Sequence, residues 1–190
     1  SKASREIVSY LLSFGISQKY GVRLYQQYKS FAMSKLTENP YILCMQKGLT
    51  FLDADRVAKA LKFPLKSPLR FKYACFHVLK NKESYGDTGM ELQKFGYDLY
   101  DLLKIDGYTK EEINNDVCDL VHSGDLKILR LPEMEGQYVF TQTMYRKEEE
   151  LAELMCSISC EPADTKEAEK LLDYIACTDR INLGKDQKNA

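Results

Sequence analysis

FGISQKYGVRLY, at residues 14–25, has a counterpart 33 residues later in KGLTFLDADRVA, at residues 47–58. In both copies a glycine is followed by an apolar residue and a hydroxyl residue, and a small residue and an arginine then occur at the same spacing. The repeat predicts that one small structural unit occurs twice. The matched pairs are Gly15 and Gly48, Ile16 and Leu49, Ser17 and Thr50, Gly21 and Ala54, and Arg23 and Arg56.

Each matched position has a physical use where one helix turns into the next. Glycine can adopt the positive φ of a sharp turn after a helix, and the apolar residue after it can anchor that turn in the core. The hydroxyl can cap the following helix, and a small residue four positions later allows two helices to approach closely. The repeat therefore predicts a tandem helix-hairpin-helix module, a type of structure that holds nucleic-acid backbone.

Charge is unevenly distributed along the chain. Residues 1–80 hold 14 Lys and Arg against 4 Asp and Glu, a net charge of +10, whereas residues 81–190 hold 13 against 24, a net charge of −11. Because the basic half also contains both hairpins, the distribution indicates a polyanionic partner. The alternative is a solvated surface on which the charges happen to fall unevenly.

Composition fits one large or two small globular domains. The chain has 190 residues, of which 44% are hydrophobic. No apolar run approaches the roughly 18 to 20 residues of a membrane span, and the polar start at residues 1–6 is not that of a signal peptide. Six cysteines without a close Cys-x-x-Cys pair predict reduced thiols in the cytoplasm. We therefore expect no membrane partner.

Turn signals divide the chain into three predicted domains. Pro64 and Pro68 interrupt the helical pattern and mark the first boundary. In the middle part, apolar periodicity predicts two helices, a capping box at Thr109 opens a third, and two short strands follow. The predicted fold is mainly α, with one small β-hairpin and further C-terminal helices at 144–157 and 164–176. The domains are a tandem helix-hairpin-helix module at 1–66, a winged-helix-like domain at 67–145 and a helical linker at 146–190.

The order of these stretches resembles the N-terminal region of RecD/TraA-type (RecD-like) ATP-dependent DNA helicases, which are similar to the exodeoxyribonuclease V alpha subunit. The resemblance covers about residues 5–155. It implies a DNA-backbone-binding accessory region of a superfamily 1 helicase, whose parent chain unwinds DNA 5′ to 3′ in repair and recombination. The stretches that carry it are SFGIS at 13–17, ENPY at 38–41, ADRVA at 54–58 and HSGDL at 122–126.

The last ten residues, INLGKDQKNA at 181–190, resemble the glutamine motif that precedes the phosphate loop in such helicases. This resemblance implies that Gln187 reads the adenine of ATP and that a motor domain follows, which would bind ATP and Mg²⁺. The chain itself contains no Gly-x-x-x-x-Gly-Lys-Ser/Thr loop. We therefore expect a fragment without cofactor or ATPase activity, whose partners are its own motor and sequence-nonspecific single-stranded or junction DNA.

The candidate DNA-binding residues lie on both hairpins and on the helices that follow them. A helix N-terminus offers N–H groups and a positive dipole end to phosphate, and cations nearby position DNA without reading its sequence. The alternative is that the hairpins only pack helices together. The predicted set is Gly15, Ile16, Ser17, Lys19 and Arg23 in the first copy, and Gly48, Leu49, Thr50, Arg56 and Lys59 in the second.

The second hairpin departs from the Gly-x-Gly pattern common in this family, because Thr50 replaces the second glycine. We expect Thr50 to cap its own helix, and by the same argument Ser17. Each cap would occupy a backbone N–H that otherwise faces a phosphate.

The third helix of the winged-helix-like domain, at 109–123, is acidic. Its net charge of −3 opposes insertion into a DNA groove and favours a structural or protein-contacting role. Two alternative functions therefore stay open, a protein-interaction module that docks on the motor or another subunit and a stand-alone DNA-binding protein. The charged residues are Glu111, Glu112, Asp116 and Asp119 against Lys110.

The sequence predicts no metal site. No four ligands have zinc spacing. Cys75 and Cys156 fall on or beside apolar helical stripes, so both are predicted to be buried thiols.

Overall fold

The computed structural model describes residues 2–83, 88–131 and 134–157, except for the side chains of residues 82 and 83. Residues 1–147 form one compact unit and residues 148–190 a second. The predicted division at 66/67 therefore falls inside the first unit, and the three-domain scheme stays a prediction. The helix predicted at 164–176 and the glutamine-motif tail lie outside the described residues.

The repeated motif forms two helix–turn–helix units, as the sequence predicts. Gly15 and Gly48 lie in the two turns with φ of +72° and +99°. Asn39 starts a short 3-10 helix by accepting a hydrogen bond from the N–H of Tyr41 at 3.0 Å. The helix Ala32–Glu38 was not predicted from the sequence. The elements are α1 Lys2–Leu12, α2 Gln18–Tyr28, a 3-10 turn Lys29–Phe31, α3 Ala32–Glu38, the 3-10 helix Pro40–Met45 and α4 Phe51–Ala60.

The following part of the chain has the element order of a winged helix, in which three helices accompany a small antiparallel sheet. The predicted hairpin is confirmed, with Ile128 opposite Val139. A third strand, Met90–Glu91, pairs with the other edge of the strand Tyr138–Thr141. That strand is only two residues long, too short to show a period in the sequence. The elements are α5 Pro68–Glu83, β1 Met90–Glu91, α6 Leu92–Leu103, a 3-10 turn Lys104–Asp106, α7 Lys110–His122, β2 Leu126–Leu129, β3 Tyr138–Thr141 and α8 Gln142–Ser157.

The predicted capping box of α7 is confirmed. The N–H of Glu112 donates to the Thr109 hydroxyl at 3.2 Å, and the N–H of Thr109 donates to the Glu112 carboxylate at 2.8 Å. These two bonds satisfy donors that the helix itself leaves without partners. Helix α7 therefore begins where its sequence predicts.

One hydrophobic core joins the hairpins to helix α5. The ring of Tyr41 stacks on Phe51 at 5.7 Å and on Tyr73 at 5.5 Å. Arg70, only 2% exposed, reaches from α5 to Asp55 of α4 at 2.7 Å and to Asp106 at 2.6 Å. Apolar stacking and a buried ion-pair cluster therefore hold both predicted domains together within residues 1–147.

Candidate nucleic-acid interface

The first hairpin leaves the start of α2 open. Its turn is closed by backbone hydrogen bonds from the N–H of Gly15 to Leu12 at 2.9 Å and from that of Ile16 to Leu11 at 3.1 Å. Ile16 is 3% exposed and anchors the turn. Ser17 occupies the N-cap position, but its side chain makes no capping hydrogen bond. The expectation that Ser17 caps α2 with its side chain is therefore wrong. The N–H of Tyr20 donates to the Ser17 carbonyl at 3.0 Å, and the Ser17 hydroxyl accepts from no N–H of the first turn.

Two exposed cations lie on the first two turns of α2. The Lys19 ammonium lies 4.8 Å from the ring centroid of Tyr20, and the Arg23 guanidinium lies 5.9 Å from it. Within residues 2–83, 88–131 and 134–157, neither cation forms an ion pair with a carboxylate. Both charges are therefore available to an anionic ligand.

Tyr20 connects the two hairpins, a role that the sequence analysis missed. Its side chain is buried, and its hydroxyl donates to the Lys47 carbonyl in the second turn at 3.3 Å. A Cβ on Gly48 would lie 2.6 Å from that hydroxyl, so glycine is needed there for close approach as well as for positive φ. The signal in the sequence is the four-residue spacing from Tyr20 to Leu24, which places both on the buried face of α2.

The second hairpin is closed by its own side chains, as the Thr50 substitution predicts. The N–H of Asp53 donates to the Thr50 hydroxyl at 3.4 Å, and the N–H of Thr50 donates to the Asp53 carboxylate at 2.9 Å. Burial acts to raise the pKa of Asp53, but the hydrogen bonds from Thr50 and the ion pair with Arg56 outweigh it and lower the pKa. A charged carboxylate thus occupies the helix N-terminus that a phosphate would need.

The two predicted cations of the second copy also have carboxylate partners. Arg56 pairs with Asp53 at 2.7 Å. Lys59 lies 3.3 Å from Asp55 and 3.1 Å from Asp106. The spacings of three and four residues within α4 were available in the sequence, whereas the Asp106 contact depends on the tertiary fold. The repeat is therefore structurally similar in its two copies but electrostatically different.

Helices α1 and α2 pack closely at the small residue of the first copy. A Cβ on Gly21 would lie 2.8 Å from the Cα of Val8, a contact that no side chain can have. Its counterpart Ala54 is completely buried. The predicted use of these small residues is confirmed.

A comparison with known families identifies the N-terminal part of the chain. Residues 1–89 match the family described as the ATP-dependent RecD2 DNA helicase HHH domain. The resemblance to RecD-like helicases is confirmed. The RecD2 HHH match includes both hairpins and continues through helix α5, so it extends beyond the predicted first domain.

Helix α7 lies outside the RecD2 HHH match and presents its acidic face. Glu111 and Asp119 are exposed, while Glu112 pairs with Lys66. Burial, followed by the neighbouring charges of Asp119 and Glu112, raises the pKa of Asp116. Helix α7 therefore presents the carboxylates of Glu111 and Asp119 to solvent.

The cysteines that the structure describes differ in burial. Cys75 is buried as predicted, but Cys156 is exposed, because the part of α8 that carries it is exposed at every position from 146 to 157. Burial raises the pKa of Cys44 to about 12.

Within the described ranges, no three His, Cys, Asp or Glu residues are grouped as metal ligands. None of the described helices is both long and apolar enough to cross a membrane.

Proposed function

We propose that the chain is the N-terminal accessory region of a RecD-like superfamily 1 helicase and that its first hairpin holds DNA backbone. The observation that carries the proposal is the start of α2, where Ser17 makes no side-chain cap and two cations have no carboxylate partner among the described residues. The RecD2 HHH match of residues 1–89 supports the helicase context.

The chemistry of this site suits a phosphodiester. Donors in the first turn of a helix lie at the positive end of its dipole, where a phosphate oxygen is stabilised. Lys19 in the first turn and Arg23 one turn further along α2 add positive charge, and Lys47 is exposed in the adjoining hairpin. Such contacts hold backbone of any sequence. The bound DNA is therefore sequence-nonspecific, single-stranded or at a junction.

The second hairpin supports the first one in this proposal. Its Asp53 carboxylate takes the position of a phosphate, and its Arg56 and Lys59 are already partly neutralised. Through the Tyr20 hydroxyl bond to Lys47, it fixes the helix on which Lys19 and Arg23 lie. Gly48, Leu49 and Thr50 thus contribute to the shape of the site rather than to the binding of phosphate.

We also propose that this region belongs to a parent helicase with a motor domain. Its motor would hold ATP and Mg²⁺, with Gln187 at the adenine, and would unwind DNA 5′ to 3′ in repair and recombination. The residues of this chain would position the DNA in the cytoplasm for that motor. They would not hydrolyse ATP.

A titration at several salt concentrations tests the DNA site. With about three to five phosphates neutralised, log affinity for a single strand should fall against log salt with a slope of roughly −2 to −4. The double variant Lys19→Ala/Arg23→Ala should weaken binding and make the slope shallower by roughly 1 to 1.5. Arg56→Ala/Lys59→Ala should change both quantities less, because both residues are paired.

Lys110→Ala, on the acidic helix, is the matched control and should bind DNA as the unmodified chain does. Wild-type affinity and slope in Lys19→Ala/Arg23→Ala would exclude the first hairpin as the DNA site.

A protein-docking role for α7 is the second candidate, favoured by the exposed carboxylates Glu111 and Asp119. The partner would be the motor or another subunit with a basic surface. In that case Glu111→Lys/Asp119→Lys weakens the partner complex and leaves DNA affinity no weaker. An interaction assay with the separately produced motor distinguishes the two roles.

A further inference from the structure

A cleft lies between the second hairpin and helix α5. It has a volume of about 340 Å³, at the small end of the range for ligand pockets. Leu49 and Phe51 form one side, and the opposite side consists of α5 residues one helical turn apart. These are Tyr73, Phe76, His77 and Lys80.

Four aromatic rings in one small cleft suit a flat ligand. Tyr73 already stacks on Tyr41, and Phe51 lies 5.7 Å from the His77 ring. Phe76 is half-buried and contacts Tyr73 edge to face at 6.1 Å. Among the described residues no other ring packs against Phe76, and the Lys72 ammonium lies 5.7 Å from its centroid. A planar group that enters the cleft can therefore stack on a ring that the core leaves partly uncovered.

The charge at the cleft indicates which flat ligand it takes. Lys80 lies on its rim, and Lys47 lies two residues before Leu49 in the adjoining turn. Neither lysine has a carboxylate partner among residues 2–83, 88–131 and 134–157. Among the residues whose side chains the structure describes, the lining contains no Asp or Glu. Aromatic walls beside free cations are the features with which proteins bind unpaired nucleotides.

The position of the cleft continues the DNA path of the first hairpin. Lys19 and Arg23 flank Tyr20, whose hydroxyl contacts the carbonyl of Lys47. From that turn the chain leads directly into Leu49 at the cleft. We propose that this cleft binds an unpaired base of single-stranded DNA whose backbone lies on the first hairpin. The inference rests on the proposed function and specifies its substrate as DNA with at least one unstacked base.

Duplex DNA keeps its bases stacked inside the helix and cannot fill the cleft. The cleft therefore adds affinity for single strands only, whereas the hairpin cations act on both forms.

The test compares the affinity of the whole chain for oligothymidylate with its affinity for a duplex of equal length. Phe76→Ala should weaken single-strand binding by about 5- to 150-fold, the range for one base–aromatic stack, and change duplex binding less than about twofold. Phe76→Tyr should restore single-strand binding. Lys80→Ala, at an exposed position that does not endanger folding, should also weaken single-strand binding.

Tyr97→Ala/Lys110→Ala removes an aromatic–cation pair from the surface of α6 and α7 and serves as the matched control. It should leave both affinities unchanged. As an independent readout, 2-aminopurine placed in the oligonucleotide should lose fluorescence on binding because it stacks in the cleft, and should keep that fluorescence with Phe76→Ala.

The outcomes separate this inference from the proposed function. If Lys19→Ala/Arg23→Ala abolishes binding while Phe76→Ala and Lys80→Ala do not affect it, the hairpin site stands and the base cleft is refuted. Equal losses for single and double strands in Phe76→Ala would also refute it. Unchanged 2-aminopurine fluorescence on binding would likewise refute base stacking in the cleft. A wild-type chain that binds no DNA at all would overturn both proposals.

Discussion

Arg70 carries a charge that is almost completely buried, with Asp55 as its principal partner. Breaking one partner of a buried pair leaves the other desolvated without full compensation. Asp55→Asn should therefore lower the free energy of unfolding by about 3 kcal/mol, the low end of the range, because Asp106 still pairs with Arg70. Urea denaturation measures this loss. Arg56→Ala, which breaks an exposed pair, should cost less than about 1 kcal/mol.

Asp55 also makes the free energy of unfolding depend on pH. Burial acts to raise the pKa of Asp55, but hydrogen bonds from Arg70 and Tyr41 outweigh it and hold the pKa below its ordinary value. The stability that Asp55 contributes is therefore complete above its unfolded pKa of about 3.9 and is lost as the pH falls through the lower folded value. Unfolding free energy measured from pH 6 down to about pH 2 should fall less steeply in Asp55→Asn. An identical fall in both proteins would contradict the assignment.

At the scale of elements, two helical glycines have opposite surroundings. A Cβ on Gly21 would meet the backbone of Val8 at 2.8 Å, whereas a Cβ on Gly96, in α6, meets nothing within 4 Å. Gly21→Ala must separate α1 from α2, which costs about 1 to 3 kcal/mol. Gly96→Ala only removes backbone freedom from the unfolded chain and should stabilise by about 0.5 to 1 kcal/mol. Thermal unfolding of the two variants should shift the midpoint in opposite directions. A stabilising Gly21→Ala would show that the helices are not in such close contact.

The elements also show what the sequence can and cannot predict. Positions with local causes were predicted correctly, such as the positive φ of Gly15 and the capping box at Thr109, because their partners lie within a few residues. The cap at Ser17 was predicted wrongly, because the N–H of Tyr20 bonds to the Ser17 carbonyl at 3.0 Å instead of to its hydroxyl. The partners of Tyr20 and Arg70 are 27 and up to 36 residues away, so only the fold brings them together.

The two hairpins differ in a residue that the matched positions of the repeat do not include. The repeat marked both hairpins equally, since the matched residue types are the same in each. What separates them is Asp53, which closes the second hairpin through contacts three residues apart. That pattern is visible in the sequence, but it distinguishes the two hairpins only because Ser17 makes no side-chain cap in the first one. The aromatic cleft could not be predicted, because its two sides come from separate segments of the chain.

At the scale of the molecule, the contacts across residue 66 determine how the first compact unit unfolds. Tyr41 stacks on Tyr73, and Arg70 pairs with Asp55, so the hairpins and the winged-helix-like part share one core. Neither part can open without exposing surface of the other. We therefore expect residues 1–147 to unfold in a single cooperative transition, although the sequence divides them at 66/67.

The chain has no tryptophan, so single tryptophans can report on each part. Tyr25→Trp in α2 and Tyr138→Trp in β3 both replace half-buried aromatic residues. Their fluorescence midpoints in urea should coincide with each other and with the loss of helical circular dichroism. Adding Asp55→Asn should lower both midpoints together, because the buried pair belongs to the shared core. Two separate midpoints, with only one of them sensitive to Asp55→Asn, would show that the hairpins and the winged-helix-like part are independent domains.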